Sequence, residues 1–186
     1  MYNQNEYTTT SGQSKVIDVS FTFDGPIVEP VTLQDVKDYI RVDYDDDDSV
    51  ITKLITFARE WAEKHAAISI IPRTVTAWLT SVNRIELPYG PVTTPIVDID
   101  IKNFSGVVQT GTVLIGSEYP RIVGDGDYVV TYDAGFADTD DVPEGLKIAI
   151  CAKVLAQFEN RGDEWKEKYD GIAWNNLQPY RRVTWV

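Results

Sequence analysis

The sequence of 186 residues holds one cysteine, one histidine and one methionine. A single thiol, Cys151, allows no disulfide within the chain, which fits a reducing compartment or an assembly made in one. A single histidine, His65, leaves any zinc site to be built from His65, Cys151 and carboxylates, without the usual ligand spacing. No G-x-S-x-G turn is present to offer His65 a nucleophile, and the glycines at 116, 124 and 126 follow neither the Walker nor the G-x-G-x-x-G pattern. No window reaches the roughly 20 apolar residues of a membrane helix, so no membrane partner is expected. The opening MYNQNEYTTTSGQSK lacks the apolar stretch of a signal peptide. Basic charge is scarce as well: 17 basic against 29 acidic residues leave a net charge of −12. Phosphate backbones are repelled at long range, which disfavours sequence-specific DNA binding. An acidic surface past which DNA slides is compatible with that charge.

What is present is the composition of a globular protein, 43% hydrophobic and 25% charged, long enough for one domain with arms. Residues 1–28 read as an N-terminal arm with one strand, KVIDVSFTF (15–23), in which Ile17, Val19, Phe21 and Phe23 alternate with polar positions. Thr32 and Asp35 form a capping-box pattern that opens a helix over 32–42. A long amphipathic helix follows over 46–66, with Val50, Leu54, Phe57, Ala58, Trp61 and His65 at helical spacing and Ile51, Ile55 and Ala62 beside them. Residues 70–134 are rich in β-branched and aromatic side chains and predict an antiparallel β region. In it, Val97, Ile99 and Ile101 alternate with Asp98, Asp100 and Lys102 in a single strand. The period then changes, and Pro143 opens a helix over 143–161 that is apolar on more than one side, closed by Arg161 and Gly162. The fold class is therefore α+β: a helical core spanning 29–162 with an inserted antiparallel β region, and extended N- and C-terminal arms. Residues 163–186 are aromatic but aperiodic, and read as a tail that needs a surface to pack on.

The run RVDYDDDDSV carries five aspartates in ten residues. A calcium loop beginning at Asp43 would need glycine sixth and glutamate twelfth, where the chain has Asp48 and Leu54. Two readings stay open: Asp45 or Asp46 caps the long helix with its neighbours set against the helix dipole, or the run holds a cation weakly. His65 and Cys151 read as packing residues. Asp98 and Asp100 share a strand face, either as a wet face or as paired carboxylates for glycoside chemistry. Arg181 and Arg182 form a basic pair that either meets an acidic partner or is solvated. No motif supports an enzyme, and neither a cofactor nor a metal is expected. The aromatic tail residues Trp165, Tyr169, Trp174, Tyr180 and Trp185 are of the kind that anchor interfaces, which points to a component of an assembly. A carboxylate-based hydrolase and a cation-dependent binding module are the alternatives.

An ordered set of short segments carries a resemblance. Glu29-Pro30-Val31 and Leu33 open the first helix, and Arg41-Val42-Asp43 precede the acidic run. Leu87-Pro88 and Gly90-Pro91-Val92 lie in the middle. Tyr132, Ala134 and Gly135 close a strand, Val142-Pro143 and Glu159-Asn160-Arg161 bound the buried helix, and Leu177 and Pro179-Tyr180-Arg181 lie in the tail. Together they resemble the head–tail connector (head-completion, adaptor) proteins of tailed bacteriophages. The resemblance implies a non-enzymatic structural subunit of the virion, made in the bacterial host cytoplasm and placed at the head–tail interface. Copies would form a ring, twelvefold by the symmetry of the portal, bound below the portal protein and above the tail or stopper protein. Double-stranded DNA would pass through its channel without sequence-specific binding. It further implies portal docking by Tyr180, Arg181 and Trp185 in the tail, and a channel-facing acidic cluster at Asp45, Asp46, Asp47 and Asp48. Residues 1–28 precede the usual start of that family and either add an edge strand or clasp a neighbouring subunit.

Overall fold

The computed structural model describes residues 13–23, 25, 27–110, 112–159 and 163–182. The expected closing residues of the third helix, Arg161 and Gly162, lie outside that set, as do Trp185 and the threonines at 8–10.

Among the described residues, four α-helices make one core. α1 (Leu33–Ile40) starts where Thr32 Oγ1 accepts from the Asp35 N–H at 3.1 Å and Asp35 Oδ2 accepts from the Thr32 N–H at 2.9 Å, the reciprocal box expected. α2 (Asp48–Ala66) lays Ile51, Ile55, Ala58, Ala62 and Ala66 on the core and ends at Ala67, whose φ of 53° turns the chain. α3 (Glu144–Phe158) buries residues on every side, including Leu146, Ile150, Val154 and Ala156. It does so because it lies between α2 and α4 (Asp163–Leu177), with α1 touching both α2 and α3. Residues 163–177, aperiodic in the sequence, are thus a helix. Its seam is narrow, carried by Tyr169, Ala173 and Leu177 at four-residue steps. Gly171 and two asparagines dilute the helical signal around it.

Among the described residues, seven strands make the second core. A four-stranded antiparallel sheet runs in the order β1 (Lys15–Thr22), β2 (Arg73–Ser81), β7 (Gly126–Ala134), β4 (Asp100–Lys102). A three-stranded sheet runs β3 (Arg84–Glu86), β6 (Arg121–Val123), β5 (Val113–Ile115). Their inner faces meet: Val75, Leu79, Val130 and Tyr132 from the first against Ile85, Leu114 and Ile122 from the second. The architecture is α+β, as the sequence predicts.

Two strand expectations need correction. The segment 96–102 is not one strand. Pro95 lacks an N–H, and its carbonyl accepts from the Asp98 N–H at 2.8 Å, which closes a 3-10 turn over Ile96–Asp98. Ile99 and Ile101 are buried but Val97 is 89% exposed, so Asp98 and Asp100 do not share one strand face. In β1 the register slips at Ile17. Val16 and Val19 therefore both face the core, opposite Leu79 and Ala77, while Ile17 points away from it. A bulge puts two residues opposite one and resets the alternation.

Candidate interaction surfaces

The acidic run is built around a lysine. Arg41 leaves α1 in the left-handed region, φ 59°, and swings residues 42–47 back across the helix. Lys37 Nζ then donates to Asp45 Oδ1 at 2.7 Å and to Asp48 Oδ1 at 2.8 Å. The lysine side chain is only 7% exposed, while Asp45 is 87% exposed. The hydrogen bond and charge of Lys37 hold the Asp45 carboxyl below its usual value, and the two carboxylates raise the lysine. Capping by Asp45 or Asp46 is not what happens. The N-cap is Asp47, with φ −100° and ψ 3°, and its side chain bonds no helical N–H. That backbone lacks the extended conformation that brings a carboxylate over the first turn. Asp48 occupies the first turn, where the helix dipole favours it. Among the described residues no cluster of three or more histidine, cysteine or acidic side chains is arranged to hold a metal ion.

The two cores are joined by a buried polar network that sequence reasoning missed. Arg59 Nε donates to Glu29 Oε2 at 2.8 Å and Nη1 to Glu63 Oε2 at 2.8 Å. Glu63 Oε1 accepts from Arg73 at the start of β2 and from the Ile70 N–H at 2.8 Å. The Arg73 guanidinium also lies 5.1 Å from the centre of the Phe21 ring and 5.3 Å from that of Phe23. One set of charges thereby ties the N-terminal arm, α2 and the β region together. The only sequence signal is the i, i+4 pair Arg59 and Glu63, and nothing in the linear pattern distinguishes it from a surface pair.

A cleft of about 540 Å³ opens beside this junction, lined by Phe23, Ile27, Val28, Pro72, Phe136 and Val142 among others. Its two carboxylates are engaged in local structure. Asp133 Oδ1 accepts from the Thr74 hydroxyl at 2.7 Å, and Asp138 caps the 3-10 turn Thr139–Asp141.

Tyr169, Trp174 and Tyr180 pack on the helical core of their own chain. Tyr180 sits on the helical core against Gly145. The Arg181 guanidinium lies 5.4 Å from the centre of the Trp174 ring, and Arg182 lies 3.3 Å over Tyr119. Asp45 to Asp48 form a surface at the α1–α2 corner, whereas Tyr180 and Arg181 lie on α3 and α4, so two separate surfaces are involved. His65 Nδ1 is 2.8 Å from the Trp61 carbonyl oxygen, and its ring meets Trp174 edge-on at 5.8 Å. Cys151 is buried, and burial pushes its thiol up to about 11, which keeps it protonated and unreactive at neutral pH.

Residues 30–107 match the model of a protein family described as phage gp6-like head-tail connector protein. That is the family the sequence resembles. The fold extends the likeness over most of the chain. A chain in the neck of an empty gene transfer agent particle, computed with C6 symmetry, superposes with a TM-score of 0.64 at 18% identity, over 90% of this chain and 97% of that one. A chain of the native gene transfer agent virion gives 0.64 at 18% identity, over 89% and 97%. A chain of the native neck computed with C12 symmetry gives 0.57 at 20% identity, over 83% and 90%. No curated protein sequence matches the chain. The connector match begins at Pro30, so β1 and the segment before it lie outside the family's pattern.

Proposed function

We propose that this protein is a structural subunit of a head–tail connector ring. In that role it binds below a portal, extends the channel through which double-stranded DNA passes, and gives the tail or a stopper protein its attachment surface. The observation that carries the proposal is the coincidence of two likenesses. The connector family model covers α1, α2 and the first half of the β region. The fold of neck proteins then covers nine-tenths of the chain. The C6 and C12 symmetries of those necks support a ring, with twelve copies as its expected number. The net charge of −12 suits a wall along which DNA moves without sticking. In this proposal Asp45, Asp46, Asp47 and Asp48 face the channel, and Tyr180, Arg181 and Trp185 contribute to the portal contact.

The test is electron microscopy of the purified protein mixed with the portal ring from the same genome, with the protein alone as control. A second ring stacked on the portal is the expected result. A portal that stays bare across salt and pH, beside a stable monomer, would overturn the proposal. A stacked ring with Asp45 to Asp48 on its outer wall would remove the acidic lining and keep the connector role.

A further inference from the structure

Charge that leaves water in this chain is matched, with one exception. Among the described residues, six lysines and arginines other than Arg182 are buried or half-buried, and each meets a carboxylate. Lys37 meets Asp45 and Asp48, Arg59 meets Glu29 and Glu63, and Arg73 meets Glu63. Lys102 meets Asp100, Lys147 meets Glu144 and Lys153 meets Asp170. A cation withdrawn from water needs such a partner. Arg182 is half-buried too, yet among the described residues its guanidinium has neither an ion pair nor a hydrogen bond.

That guanidinium is nonetheless held in place. The Arg182 N–H donates to the Ala66 carbonyl at 2.8 Å, and the guanidinium carbon lies 3.3 Å from the centre of the Tyr119 ring. The ring is itself packed on Gly90, where an added Cβ would stand 2.8 Å from Tyr119 Cδ1. A guanidinium stacked on a ring keeps its five N–H donors in one plane, free at the edge. Such an edge grips a carboxylate or a phosphate with two parallel hydrogen bonds. Arg181 does not share its ligand. The stretch is extended at Arg181, so successive side chains point to opposite sides, and Arg181 lies over Trp174 instead.

Arg182 borders a cleft of about 450 Å³ whose walls include Tyr119, Phe136, Pro143 and Tyr180. Glu118 and Asp141 line the cleft as well, and neither pairs with Arg182. These two carboxylates decide which anion fits. Duplex DNA presents a charge about every 1.7 Å, and that row would meet Glu118 and Asp141 together with the arginine. A single carboxylate can reach Arg182 while apolar neighbours take the aromatic and proline walls. Arginine and tyrosine around such a cleft are the residues that anchor protein interfaces.

We propose that the Arg182 guanidinium receives the carboxylate of one acidic side chain of the portal protein, and that the apolar residues beside that side chain fill the cleft between Tyr119 and Tyr180. The contact supplies the carboxylate that every other buried or half-buried cation of the described chain already has. It rests on the connector role of the proposed function and names the chemical group by which the portal is held.

The full-length chain is treated with phenylglyoxal, alone and stacked on the portal ring of the same genome, and the modified arginines are read by mass spectrometry. Arg182 is expected to react in the free chain and to be protected in the stack. Arg182→Lys keeps the charge and loses the fork. Its affinity for the portal is expected to fall about tenfold or more, with the melting temperature unchanged. Amidating the exposed carboxylates of the portal with glycinamide is expected to erase the difference between the wild-type chain and Arg182→Lys, because both changes remove one contact. A difference that survives amidation overturns the proposal. Protection of Arg182 by a short DNA duplex or by inorganic phosphate, and not by the portal, marks a phosphate site and also overturns it. A stack in which Arg182 still reacts overturns this contact and leaves the connector role standing. A portal left bare by the wild-type chain overturns the connector role and this contact together. Where Arg182→Lys lowers the melting temperature, protection of Arg182 in the wild-type chain decides in its place.

Discussion

Glu63 of α2 and Arg73 of β2 form an ion pair across the boundary between the helical core and the β sandwich, with side chains only 6% and 7% exposed. Their burial makes the pair a fixed joint. Glu63→Ala leaves Arg59 and Arg73 as buried cations without this partner, and breaking one member of such a set costs about 3–5 kcal/mol. Urea unfolding of the variant is expected to show a loss in that range. A loss under ~1 kcal/mol would mean that water reaches the joint.

The acidic run gives the protein an acid-side dependence of known sign. Asp45 is held below its ordinary value by Lys37, and Asp35 by the Thr32 hydroxyl and N–H. A carboxyl whose folded value is lowered contributes fully above its unfolded value of about 4. That contribution is lost as pH falls through the folded value. The melting temperature is therefore expected to drop between about pH 5 and about pH 3. Asp45→Asn should make the curve shallower, and an unchanged curve would show that the Lys37 bridge does not persist in solution.

Two glycines separate crowding from backbone strain. Gly135 has φ +112°, and a Cβ there would overlap the carbonyl of Ile71. Gly106 has φ +79° with nothing near the added atom. Gly106→Ala is expected to cost about 1 kcal/mol, the strain of a left-handed position alone. Gly135→Ala adds a steric clash with backbone and should cost well over the ~1–3 kcal/mol of strained φ by itself. Equal losses in thermal unfolding would show that the 71–72 segment moves aside freely.

The elements that the sequence announced are those with a strong local signal. The capping box of Thr32 and Asp35, the core stripe of α2, and the alternation of Tyr128, Val130 and Tyr132 each repeat at the period of the structure they form. The features that were not legible depend on distant partners. Nothing near Lys37 indicates that it will receive Asp45 and Asp48 from eight and eleven residues away. The i, i+4 pair Arg59 and Glu63 resembles a solvated pair until Glu29 and Arg73 arrive from other elements. The bulge at Ile17 cannot be read from alternation, because alternation is what it interrupts. The helix over 163–177 was hidden by its narrow seam, which only the surface of α3 makes sufficient.

Arg182 is held at both ends: its N–H donates to the Ala66 carbonyl at 2.8 Å, and its guanidinium lies over Tyr119. Its position is therefore a moored cleat on the hull of the protein. It ties the stretch after the 3-10 turn Gln178–Tyr180 to two elements at once, the end of α2 and the Tyr119 loop. The mooring thus gives the helical core and the β region a second tie, made of a backbone hydrogen bond and a ring stack rather than an ion pair.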